Sequence, residues 1–144
     1  MSRAAIRQAL EGHLATLMPA WPTKWENVTF SEPTTRTPWQ SAAVLFADTR
    51  AMGMAAGSGE AWRGVFHVTI WTPAGTGPQA AEARAAALRG DLAAGIEGHF
   101  RRGLVLTSGT AAVTILQPTE RTPITSDPKW YGLPVLIPFQ SFFG

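Results

Sequence analysis

The order of periodicities in this sequence predicts an α+β fold, with one mixed, mostly antiparallel sheet and two helices packed on one of its faces. Three observations carry that prediction. Apolar residues recur at helical spacing near the N-terminus and again after Pro78. Between and after those stretches lie runs that alternate apolar and polar with period two. The chain has 144 residues, 45% of them hydrophobic, enough to bury a core as a single domain spanning residues 1–144 without disulfide or metal staples.

In the first helix Ile6, Leu10, Leu14 and Leu17 form one stripe, with Ala9 and His13 beside it. Ser2 is its expected cap, and Pro19 and Pro22 end it. Trp25–Phe30 reads as a short strand, residues 31–38 as a turn and loop rich in Pro and Thr, and Ser41–Ala47 as the next strand. Arg50 to Ala61 is Gly, Ala, Met and Ser with almost no charge, and is expected to be a mobile loop or hairpin tip. The clearest strand is Trp62–Trp71, with Phe66, Val68 and Ile70 on one face and His67, Thr69 and Trp71 on the other. Pro73 to Pro78 breaks it, with Pro78 expected in the first turn of a helix running to about Phe100. Ala81, Ala85, Leu88, Leu92 and Ile96 would share the buried face of that helix, and Gly103 would lie past its end. The last third reads as strands at Leu104–Leu106, Val113–Gln117 and Tyr131–Phe142. The last of these carries Pro134 and Pro138, which points to a sheet edge.

Composition narrows the function classes. With no cysteine, neither a disulfide framework nor a thiolate metal site is possible. No apolar run approaches the ~20 residues of a membrane helix, and the N-terminus shows no signal-peptide pattern. The sequence pI of 9.7 reflects a formal charge of only +2 on a chain with 15% charged residues, so a nucleic-acid patch is not implied. Six Trp and seven Phe on so weakly charged a chain point instead to protein contacts.

A search for chemistry finds no catalytic constellation. His13, His67 and His99 lack the spacing of metal ligands. The ten acidic residues are scattered, with no pair assignable to one cleft. There is no Gly-x-Ser-x-Gly around Ser58 and no phosphate-binding loop at Gly75-Thr76-Gly77. No catalytic residue, metal or cofactor is therefore expected.

Three segments resemble a known family. The first is Trp25-Glu26-Asn27-Val28-Thr29-Phe30-Ser31-Glu32-Pro33 followed by Thr37-Pro38-Trp39. The second is the strand from Gly64 to Trp71 that runs through Thr72 and Pro73 into Gly75-Thr76-Gly77 and an Ala-rich helix. The third is the apolar ending Leu133-Pro134-Val135-Leu136-Ile137-Pro138-Phe139. In this order the chain resembles the tail terminator-like proteins of tailed bacteriophages, related in fold to the lambda tail terminator. It departs from them in the Met- and Ala-rich stretch from Arg50 to Ala61.

The resemblance implies a structural virion protein, not an enzyme. Such a protein would form a homohexameric ring on the last ring of the tail tube, stop its polymerisation and offer a surface to the head-completion or connector protein. Its place would be the head-proximal end of the tail, assembled in the bacterial host cytoplasm. DNA would meet it only in passage through the lumen, and no membrane is involved. Ring closure needs two different patches on each subunit, and an edge strand such as Trp39–Phe46 or Leu133–Phe142 could extend a neighbour's sheet. Arg101, Arg102, Lys129 and Trp130 are the expected exposed contacts, with Met52, Met54 and Trp39 also at the interface. Two rival readings are a head–tail joining protein and a small ligand-binding domain using the His67, Thr69 and Trp71 face.

Overall fold

A computed structural model describes residues 3–51, 60–109 and 111–143. Among them, two helices and seven strands follow one another as α1 (Arg3–Ala15), β1 (Thr23–Lys24), β2 (Trp39–Ala51), β3 (Glu60–Pro73), α2 (Gln79–Arg89), β4 (Val105–Ser108), β5 (Ala111–Ile115), β6 (Thr119–Glu120) and β7 (Trp130–Phe143). The strands form one sheet in the order β1-β2-β3-β7-β5-β4, with β6 also on β7. Only β1 and β2 pair in parallel. The expected α+β class and mixed sheet are what the structure shows.

The core lies where period two meets period 3.6. Phe66, Val68 and Ile70 of β3 stand opposite Val44, Ala42 and Gln40 of β2, and opposite Ile137, Val135 and Leu133 of β7. Onto that face α1 lays Ile6, Ala9, Leu10 and Leu14, and α2 lays Ala81, Ala85 and Leu88, all buried. The sheet curls around α1. That helix packs on β4 and β5, while Arg3 still reaches over the Phe46 ring of β2 at 4.8 Å.

Three sequence expectations need correction. First, Trp25–Phe30 is not a strand. The two-residue β1 precedes it, and Asn27 takes a positive φ of 58° that ends any extended run. Second, α2 stops at Arg89 and does not reach Phe100. Gly90 turns the chain at φ 92°, and a Cβ there would lie 2.9 Å from the backbone nitrogen of Gly98. Leu92 and Ile96 therefore leave the helix face for solvent.

Third, β7 is not an edge but lies between β3 and β5. Its prolines sit four residues apart, opposite Thr69 and Val65. The Pro134 and Pro138 carbonyls accept hydrogen bonds from Arg121 and Leu116, on the side away from β3. N–H and C=O of one residue point to the same side in an antiparallel strand. Both missing donors thus face the flank that β5 and β6 cover only in part, and the β3 ladder loses nothing.

Candidate functional site

Four aromatic rings, those of Phe30, Trp39, Trp71 and Trp130, meet on the helix-free face of the sheet. There Trp39 stacks on Trp71 at 5.4 Å, meets Trp130 edge-on at 5.8 Å and lies 5.1 Å from Phe30. Trp130 donates its indole N–H to Glu32 Oε2 at 3.0 Å, and Trp71 donates to Ser41 Oγ at 3.1 Å. Phe30 and Glu32 of the Trp25–Pro33 run thus help build a second, aromatic core, while Trp25 packs against the main one. Two expected contact residues belong to it. Trp130 is only 4% exposed, and Trp39 is buried as well, so neither is exposed on this chain. Their rings are large enough to be covered by a loop that their sequence positions do not reveal.

Glu26 has a different task. Its Oε1 accepts the backbone N–H of Val44 at 2.9 Å and a 2.6 Å bond from Arg7. Those two donors, Arg7 first, hold its carboxyl below the usual value. The contact covers one outward amide of β2, which β1 reaches only at Gln40 and Ser41. Past that point β2 is an edge, and Leu45 on it is 57% exposed.

His13 and His99 lie 86 residues apart and form a reciprocal clasp. Their rings stack at 3.9 Å and 7°, and Nε2 of each donates to the main-chain carbonyl of the other at 2.6 Å. Phe100 meets the His13 ring edge-on at 4.9 Å. His67 stands half-buried on the opposite face of the sheet. Burial holds both His13 and His67 below the ordinary imidazole value of 6.5; the charges of His99 and Arg101 lower His13 further, and its bond to the His99 carbonyl opposes the shift.

The sign follows. A depressed imidazole contributes stability that is fully present above 6.5 and is lost as pH falls through the folded value. Thermal midpoints measured from about pH 7.5 down to about pH 5 should therefore fall. His13→Asn and His67→Asn together should flatten that slope. A profile already flat in the unmodified protein would contradict this.

Arg101 and Arg102 are exposed, and Arg101 pairs with Glu97 at 3.2 Å. With Arg89, Asp91 and Gln117 they line an open cleft of about 670 Å³. Lys129 is exposed beside Glu32, Arg36 and Trp130, around a second cleft of about 460 Å³. The two arginines and Lys129 thus lie in different clefts. Met52 and Met54 fall outside the described residues. Among the described residues no three His, Asp or Glu side chains come together as metal ligands, and no helix is long and apolar enough to cross a membrane.

Sequence reasoning missed Leu92, which is 98% exposed at the tip of the turn after α2. The signal that could have found it is Gly90, Gly95 and Gly98 bracketing the segment.

The family described as phage tail terminator protein matches residues 5–139. A solved structure aligns with 96% of this chain and 92% of its own, at 28% identity and a TM-score of 0.67. No curated protein matches the sequence.

Proposed function

Because the chain belongs to the phage tail terminator proteins, we propose that it closes into a ring, a homohexamer, at the head-proximal end of the tail. The ring seats on the tail tube protein, ends its polymerisation and presents the docking surface for the head-completion or connector protein. The family match over residues 5–139 carries this reading; a structural role in the phage tail follows from the family itself.

The physical features are of the right kind for such assembly. A ring needs one patch on each subunit to meet a different patch on the next. The sheet ends in two unlike edges, the part of β2 that the two-residue β1 leaves uncovered and β4. From Ala42 to Ala47 β2 carries no Lys, Arg or Pro of the kind that blunts edges in monomers, and of its outward amides Glu26 covers that of Val44. A formal charge of +2 leaves little to retard DNA passing through the lumen.

Particles assembled without this chain should show tails of uncontrolled length in electron micrographs, unattached to heads. Tails of normal, uniform length would overturn the capping role.

Arg101 and Arg102 remain proposed contacts. The exposed pairing of Arg101 with Glu97 contributes little to folding. Reversing both charges to Glu should leave folding stability within about 0.5 kcal/mol while weakening assembly. Unchanged assembly of this variant would remove both residues from the interface.

A further inference from the structure

The turn after α2 is a built projection. Asp91 and Ile96 exchange backbone hydrogen bonds at 2.9 and 2.8 Å, and Ala94 and Gly95 close the tip onto Asp91 and Leu92 at 3.2 Å each. Gly98 fixes its base, since a Cβ there would stand 2.4 Å from the carbonyl carbon of Arg89. This frame holds the Leu92 side chain in open solvent on the helix side of the molecule. An aliphatic side chain fixed in that position loses apolar burial unless something covers it.

On the opposite, helix-free face of β2 and β3 lies a cleft of about 230 Å³ lined by Trp25, Ala43, His67 and Trp71. Ala43 and His67 stand opposite each other across the ladder, on the parity that faces away from the core. The cleft holds several times the ~30 Å³ of one water, room for a four-carbon side chain. Lys24 is exposed on its rim, and Asp91 is exposed at the base of the Leu92 turn.

We infer that Leu92 of one copy enters the Trp25–His67–Trp71 cleft of the next copy, with Asp91 facing Lys24. Knob and hole are different patches on different faces of one chain, which is what a closing heterologous interface requires. The opposite charges beside them set the register. The inference rests on the proposed ring and names its contact.

Two experiments test it, both run with cognate tube protein present. Leu92→Asp touches no core residue, so its melting curve should match that of the unmodified chain while subunit association weakens roughly tenfold or more. In the second, Leu92→Cys and Ala43→Cys chains are mixed under mild oxidation. The chain has no native cysteine, so a disulfide dimer reports contact between copies. The control pairs Leu92→Cys with Ser126→Cys, an exposed position in the loop before β7. A dimer yield well above that of the control supports the contact. L92D rings that close normally, or a cysteine pair no better than the control, overturn the contact and leave the ring standing. If the unmodified chain never assembles, ring and contact fall together.

Discussion

Phe66→Ala is expected to destabilise the protein by about 3–5 kcal/mol. Phe66 is fully buried and lies on the central strand β3. It sits between Val44 of β2 and Ile137 of β7, and its ring lies 5.6 Å from Phe100. Phe100 in turn packs on His13 of the clasp, so one ring ties sheet, α1 and the segment after α2 together. Removing it deletes apolar burial and leaves a cavity that three strands pinned by ladder hydrogen bonds cannot close. Set against a total stability of about 5–15 kcal/mol, the loss is large enough to leave part of the chain unfolded at moderate temperature. Urea titration followed by tryptophan fluorescence measures it. A cost below about 1 kcal/mol would mean that the core does not hinge on this ring.

Arg84→Ala is expected to cost about 2–4 kcal/mol. Arg84 lies on α2 and is buried. Its Nε and Nη2 donate to Gln40 Oε1 at 3.3 and 3.2 Å, and its Nη1 donates to the Pro19 carbonyl at 2.7 Å. The guanidinium lies 4.4 Å from the centre of the Trp21 ring. Burial lowers its pKa to about 10, so it is cationic at neutral pH. Alanine would take the donors from both acceptors and remove the group that fixes the 16–22 connection against β2. Arg84→Lys should recover less than half of the loss, because one ammonium cannot span both acceptors in the geometry of the fork. Full recovery by lysine would show that charge alone matters at this position.

What could be read from the sequence depended on whether a residue's role is local. Ile6, Leu10 and Leu14, and Phe66, Val68 and Ile70, announce their elements because each buried face repeats at a fixed interval. The end of α2 was half legible. Gly90 and Gly95 interrupt the stretch, but the apolar spacing of Leu92 and Ile96 carries the expected helix past them. Only the close packing of Gly98 on Gly90 shows why the turn wins. Pro134 and Pro138 suggested an edge because a proline removes a donor. Their four-residue spacing puts both losses on one flank, and the composition of the strand does not say what covers that flank.

Long-range polar partners were not legible at all. His13 and His99 are 86 residues apart, and Arg84 and Gln40 are 44 apart. Of the proposed contact residues, Arg101, Arg102 and Lys129 are exposed, whereas Trp39 and Trp130 are absorbed by the aromatic core to which Phe30 and Glu32 contribute. An aromatic residue suits an interface and a core equally well in composition, and only the fold of residues 25–38 decides between them.

The most direct test of the ring is native mass spectrometry over a concentration series, with and without the cognate tail tube protein. A closed hexamer, either alone or appearing when tube protein is added, is the expected result. A chain that stays monomeric at every concentration and ignores tube protein would contradict the capping account.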